Sequence, residues 1–404
     1  MVADAQPARG SSRLVGALRD RWESIRSGDV GSWPVIVGLA AIVIFFTQRN
    51  GNFFTAVNFD NLIVQMAGTA TIAIGVVFVL LLGEIDLSIG YVSGVAGVVI
   101  AEFQLPGSSH QLPALIAILL ALVVGAVIGA FQGSFVALLG VPSFVVTLAG
   151  LIAFQGVILK ALPQGVIVIQ SNLINNVANY YFSDIVGWII AIVLIGAYAA
   201  ARLSSIVERR RAGIAVPFWW LDIGRVAAVG GVAFVVVAIA NHARGVPFAG
   251  LLVAVLVIVM TYVAKRTVFG RHVYAVGGNA EAARRAGINV ARIRILVFMI
   301  SSVMAALGGI IFAARLTSVD LNAGGGTILL DAIAAAVIGG TSLFGGRGDV
   351  KGALLGALVI ATIANGIDLV GYSDATRFIL TGAILLAAVT LDTVSRRRLA
   401  ASGR

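Results

Sequence analysis

The chain has 404 residues, of which 59% are hydrophobic and only 11% charged, with a formal net charge of +10, and its mean hydropathy is +1.03. Repeated apolar runs at this composition exclude a soluble globule and define a polytopic, all-α helical membrane protein. With no cysteine, a disulfide framework and a thiolate metal or redox centre are excluded, and His110, His242 and His272 are too scattered to form a metal cluster.

Residues 1–32 read as a basic cytoplasmic leader. Its length, and the absence of a small-x-small site in FFTQRN, argue against a cleavable signal peptide in the first helix. The transmembrane domain spans 33–392, and its apolar segments number 12: Trp33–Gln48, Leu62–Leu82, Gly90–Gln104, Pro113–Leu139, Ser143–Lys160, Ile185–Arg202, Ile223–Ala240, Phe248–Ala264, Ile295–Ala314, Ile328–Phe344, Val350–Ile367 and Arg377–Asp392. Several fall short of the roughly 20 residues of a straight span, so tilt or re-entrant geometry must cover the difference. The basic tail is 393–404.

An even number of spans puts both termini on one side. Of the 28 Lys and Arg residues, 23 then lie on the side of the termini and 5 (Arg49, Lys160, Arg244, Arg315 and Arg377) on the other. By the positive-inside rule that side is cytoplasmic, and it includes the loops 203–222 and 265–294. The longest outer loop, Leu162–Asp184, carries Asn, Gln and Tyr but one acid, which suits a docking or lid surface as well as a plain connector.

The 48 glycines include four-residue spacings at Gly90/Gly94, Gly125/Gly129 and Gly352/Gly356, the pattern that lets helices approach closely in lipid. Gly83, Gly90 and Gly94 recur at identical spacing as Gly345, Gly352 and Gly356, a hint of two related halves. The first junction reads GEIDLSIG. Glu84 and Asp86 there have no Lys or Arg close in sequence, and a carboxylate at the bilayer centre costs about 2.5–3.5 kcal/mol. Asp86, followed by Ser88, can cap the next helix, with Glu84 or Ser88 closer to water; lining a pore is the competing role. A metal or glycosyltransferase site lacks the second acidic cluster it would need. Glu102 and Asp331 are further isolated acids.

GEIDLSIG, VPSFVVTL (Val141–Leu148), FGRHVYAVGGNAEAARRAGINV (Phe269–Val290) and LLDAIAAAVIGGTSLFGGRGDVKGALLGALVI (Leu329–Ile360) occur in the order found in permease subunits of ribose- and xylose-type bacterial sugar ABC importers. Along most of its length the chain resembles that family. Glu281, Ala282, Ala283 and Gly287 reproduce the E-A-A-x-x-x-G pattern with which importer permeases offer a coupling helix to their ATPase, although the Leu-Pro farther downstream is missing. The resemblance implies a coupling surface of Gly277, Gly278, Asn279, Glu281, Ala282, Ala283, Ala286 and Gly287. The residues themselves agree: Ala282, Ala283 and Ala286 form a smooth helical face, Gly287 suits a left-handed cap, and Arg284 and Arg285 offer charge to an acidic partner.

The candidates for lining a path are Glu84, Asp86, Ser88, Gln132, Phe144, Thr147, Gln155, Asn322, Asp331 and Asn365. So few polar groups make a weakly attractive transit path rather than a tight sugar site. The family core has about ten helices. The surplus pair falls between 185 and 245, where xylose-type permeases are the longer ones.

The expected protein is a homodimeric permease in the bacterial cytoplasmic membrane. It takes sugar from an extracytoplasmic binding protein and couples to cytoplasmic ABC ATPases. No G-x-x-x-x-G-K-[ST] loop is present, so ATP and Mg belong to the partner, with no cofactor and no nucleic acid bound here. An ion-coupled secondary transporter is the alternative, and an integral membrane enzyme lacks a convergent catalytic cluster.

Overall fold

A computed structural model describes residues 33–105, 107–213 and 219–401; the leader and the last three positions of the tail lie outside them. The apolar runs become helices α1 (Trp33–Arg49), α2 (Ala56–Leu81), α3 (Ile89–Phe103), α4 (Ala114–Leu138) and α5 (Ser143–Ala161), then, after a short helix α6 (Asn172–Asn179), α7 (Asp184–Arg211), α8 (Trp219–Asn241) and α9 (Phe248–Arg266). The polar stretch that follows folds as α10 (Val268–Gly278) and α11 (Ala280–Arg285). The chain closes with α12 (Val290–Leu316), α13 (Ile328–Ile338), α14 (Val350–Val370) and α15 (Asp374–Ala401). Among the described residues, α2, α4, α5, α7, α8, α9, α12 and α14 are the 8 helices long and apolar enough to cross a membrane.

Helix ends shift by a few residues throughout, and three differences from the sequence reading bear on topology. The segment expected over Ile328–Phe344 is helical only to Ile338, where Gly339 and Gly340 (φ +90°) stop it. Its 11 residues rise about 16 Å, half the roughly 30 Å of a hydrocarbon core. Residues 203–222 are mostly not loop: α7 runs on through Arg209, Arg210 and Arg211, whose charges sit favourably at a helix C-terminus. Likewise α15 continues past Asp392 to Ala401, so the tail begins as helix.

Burial singles out two central helices. α2 and α12 are antiparallel: Gly68 of α2 lies on Phe312, and Gly75 lies on Met304 and Ser301. α12 packs against α2, α3 and α4, while α2 packs against α12, α13 and α14. Each central helix is therefore followed by a short helix and then a long one, in opposite directions, which is the arrangement of an inverted repeat. This corrects the repeat suggested by glycine spacing, because Gly83 precedes the short helix α3 whereas Gly345 follows the short helix α13. The two glycines are nevertheless in contact, each with positive φ, and a Cβ on Gly345 would lie 3.0 Å from the Gly83 amide nitrogen. The four-residue glycine spacings act as packing surfaces: Gly125 and Gly129 of α4 meet backbone atoms of Ser302 and Phe298, and Gly356 meets Ala335.

The hairpin α7–α8 is peripheral, with 11% of each apolar window buried, and is held by Arg202 and Arg225 on either side of Asp222. Three of the segments assigned to one side of the membrane gather in space. Residues 82–88, 265–294 and 339–351 meet at one end, through Lys265–Asp349 and Arg294–Glu84 ion pairs. At the other end the outer loop is folded, with strand β1 (Val166–Val168) antiparallel to β4 (Ser318–Asp320) and β2 (Tyr181–Phe182) to β3 (Val246–Pro247). A cysteine at the exposed Asn172 is expected to react with an impermeant maleimide in intact cells, and one at the exposed Arg210 only after permeabilisation. Reversed labelling would invert the orientation, and labelling of both in intact cells would break the span count between them.

Candidate coupling layer and buried polar junction

The layer α10–α11 is built by caps and turns. Thr267 Oγ1 accepts from the Gly270 amide at 3.1 Å to start α10, and Asn279 Oδ1 accepts from the Ala282 amide at 2.9 Å to start α11. Gly287, at φ +84°, ends α11: its amide donates to the Arg284 carbonyl and the Ile288 amide to the Ala283 carbonyl, both at 3.0 Å. Asn289 then caps α12 through the Arg292 amide at 2.9 Å.

Glu281, Ala282, Arg284, Arg285, Ala286 and Gly287 are exposed on this layer. Glu281 pairs along the helix with Arg284 at 3.4 Å and Arg285 at 3.1 Å. Ala283 is not part of the offered face. At 5% exposure it packs into the core and anchors α11 from beneath. Beside Gly287, an open concavity of about 430 Å³ lies between the α11–α12 turn and the end of α4 at Ala137, with Arg284 and Arg294 on its walls.

The layer is tied to the bundle on several sides. Gly277 sits directly on the Leu81 carbonyl at the end of α2, and the same oxygen accepts from the Gly346 amide at 2.9 Å. Gly278 touches nothing in this way. The Tyr274 hydroxyl donates to the Gly348 carbonyl at 2.8 Å; burial, then the charge of Asp349, push its pKa above the usual 10, so it stays a donor. Arg294, in the first turns of α12, meets Glu84 at 3.2 Å.

Glu84 opens a buried polar junction. Asp86 (4% exposed) accepts at Oδ1 from the Ser88 amide at 2.9 Å and the Ser88 hydroxyl at 2.7 Å, and its Oδ2 lies 3.5 Å from Ser301 Oγ. Gln132 Nε2 donates to Ser88 Oγ at 2.9 Å. Thr147 donates to the Ile85 carbonyl at 3.2 Å, and Ser143 accepts from the Ile85 amide at 3.2 Å. The N-cap of α3 is Ser88 instead of the expected Asp86; Ser88 makes no side-chain cap bond, and Asp86 braces the turn before the helix through Ser88. Ser88, expected nearer water, is fully buried at 0%.

The ten path candidates thus separate. Asp86, Ser88, Gln132 and Thr147 form one network with Glu84 at its edge. Asn365 joins Asn58 and Gln65 at the opposite end through bonds of 2.9–3.1 Å, and Asp331 lies near that end. Phe144 and Gln155 are exposed on α5, and Asn322 is exposed in the loop after β4. Sequence reasoning missed Arg294, Ser143, Ser301, Asn58 and Gln65. A Ser-Ser pair inside an otherwise apolar run, at Ser301–Ser302, was the available signal. Among the described residues no group of His, Cys, Asp and Glu is placed to hold a metal.

Gly287→Leu should lower uptake several-fold while membrane insertion persists. A β-branch-free side chain finds open space there, but the left-handed backbone costs about 1 kcal/mol or more and the new bulk stands on the exposed turn. Uptake at the wild-type level would remove this turn from the coupling surface.

A bundle of membrane-length apolar helices with a folded polar layer at one end is a polytopic membrane protein in class. The chain belongs to the family described as branched-chain amino acid transport system / permease component, which matches residues 58–389. It is 37% identical over 378 residues to the xylose transport system permease protein XylH of Escherichia coli strain K12, covering 93% of this chain and 95% of that one. To XylH of Haemophilus influenzae it is 34% identical over 382 residues, 93% of this chain and 99% of the relative. The ribose import permease protein RbsC of E. coli strain K12 is 32% identical over 357 residues, 88% of this chain and 92% of its own. No solved structure matches the chain. Family and helices together make it a multi-pass protein of the inner membrane.

Proposed function

We propose that this chain is the translocating permease of an ATP-binding-cassette importer for a monosaccharide, xylose or a related pentose or hexose. The names carried by XylH and RbsC support the cargo. The observation that carries the coupling role is the attachment of α10–α11 to three places at once, the end of α2, the α13–α14 loop and the start of α12, whose Arg294 in turn pairs with Glu84 before α3. A force on the exposed face of α11 would move those ends together, a rigid-body switch of the kind that reorients a gate. ATP and Mg would be held by the partner ATPases.

A second copy of the chain would complete the path. α5 is a long apolar helix with 11% of its window buried, and its open face carries Gln155 beside Ala149, Ala153 and Gly156. A polar side chain and small residues on an uncovered span are what helix association in lipid uses. The extracytoplasmic binding protein would deliver to the end that carries β1–β4.

The test is reconstitution into vesicles. Sugar uptake and sugar-stimulated ATP hydrolysis are expected only when permease, ATPase and binding protein are all present. Uptake by the permease alone under a proton or sodium gradient would overturn this reading in favour of an ion-coupled transporter.

A further inference from the structure

The two helices of the α7–α8 hairpin hold each other through the rings of Trp188 and Phe234, 4.5 Å between centroids, and through Ile195 packed on Gly230. The hairpin joins the bundle through α2 and β3. Its outward side is apolar, with Ile189, Ile192, Val193, Val232 and Val235 exposed, so lipid tails surround it.

The rise of α7 sets the depth of its charges. With Asp184 at the outer boundary, Arg202 lies about 27 Å along the helix, close to the roughly 30 Å of a hydrocarbon core, and so stands at the inner boundary. Arg209, Arg210 and Arg211 follow about 10–14 Å farther on, just past a headgroup layer about 5–7 Å thick. Side chains of a helix lean toward its N-terminus, which for α7 is back toward the membrane, and an arginine's long stem returns its guanidinium to the depth of the phosphates. Asp222 of α8 pairs with Arg202, so Trp219, three residues before it, sits about 5 Å past the same boundary. Trp219 and Trp220 are both exposed there, at the level that amphipathic rings favour.

From 202 to 225 the chain has five arginines against two acids, Glu208 and Asp222. Asp222 is already shared by Arg202 at 3.7 Å and Arg225 at 3.2 Å. Arg209, Arg210 and Arg211 are exposed, and no acid among the described residues pairs with them. Three adjacent residues of a helix fan through about 200°, a spread that one flat protein surface does not match and a surrounding layer of headgroups does. Guanidinium groups also suit phosphate, which they bind as a planar fork.

We propose that the inner end of this hairpin is a docking surface for anionic phospholipids, with Arg209, Arg210 and Arg211 holding headgroup phosphates and Trp219 and Trp220 seated beside them at the interface. Lipid on this surface supports a hairpin that the bundle itself holds at few places.

The absence of native cysteine supplies the test. Val207→Cys, exposed on α7 between the two levels of arginine, is given a fluorescent donor in the full-length protein. The protein is reconstituted in phosphatidylcholine vesicles holding a small fraction of acceptor lipid, labelled on the acyl chain and either phosphatidylglycerol or phosphatidylcholine. Energy transfer should report a several-fold enrichment of the phosphatidylglycerol, and Arg209→Gln, Arg210→Gln and Arg211→Gln together should remove it. Glutamine is a good helix former at these exposed positions, so the variant keeps its fold. Equal transfer to the two lipids, or an enrichment that survives the triple substitution, would overturn the surface. Enrichment erased by inorganic phosphate but not by chloride at matched ionic strength would assign the arginines to a free anion and overturn it as well. The enrichment should persist when cytoplasmic ATPase subunits are added; its loss would give the arginines to that protein instead of the membrane.

Discussion

Gly277→Ala is expected to cut uptake more than about tenfold, while Gly278→Ala, one residue on, transports like the wild type. A methyl group at Gly277 would fall far inside contact distance of the Leu81 carbonyl, with the Gly346 amide 2.9 Å away. Both neighbours are backbone, so no side chain can swing aside, and the Leu81 oxygen is already fixed by its bond from Gly346. Overpacking of this kind costs about 1–3 kcal/mol. The strain is relieved most easily by lifting α10 off the end of α2, and that contact is the one through which a push on α11 would reach the bundle. At Gly278 the same methyl group meets open space. Transport measured in vesicles, with insertion checked for both variants, decides the matter: equal uptake from the two would mean that the Gly277 contact transmits nothing.

The helices were legible because burial in lipid demands continuous apolar runs, and those runs are long in this chain. Where the reading failed, the cause was local. Gly339 and Gly340 end α13 inside an apolar stretch, and hydropathy does not register a left-handed glycine. Residues 265–294 read as a polar loop because their helices are short, 11 and 6 residues, although Val273 and Val276 already carried the spacing of a buried face. The face of α11 was misassigned at Ala283 for a related reason, since Ala282 and Ala283 are adjacent identical residues in a six-residue helix too short to give a phase. The coupling motif was recognisable because its cap, charges and terminal glycine all lie within nine residues of sequence from Asn279 to Gly287. The polar junction was not, because its partners are remote: Asp86 and Ser301 are 215 residues apart, and no spacing rule joins them. Nor could spacing foresee that Ser88 would be sealed under Gln132, an outcome of how α3 and α4 pack.

Asp86→Ala should destabilise the detergent-solubilised permease by on the order of 3 kcal/mol, well beyond the effect of Glu84→Ala. Three donors lose their acceptor in the first case: the Ser88 amide, the Ser88 hydroxyl and the Ser301 hydroxyl, all in a site without water access, since Ser88 and Ser301 are each 0% exposed. The first amides of α3 also lose the negative charge that complements a helix N-terminus. Glu84, by contrast, makes one ion pair with a partially exposed Arg294, and such pairs contribute about 1 kcal/mol or less. Asp86→Asn should fall between, because its remaining carbonyl oxygen can still serve Ser88. Thermal unfolding of the three variants beside the wild type tests the order. Equal melting temperatures for Asp86→Ala and Glu84→Ala would show that the carboxylate is not holding the start of α3, and would return Asp86 to the candidates for contact with transported sugar.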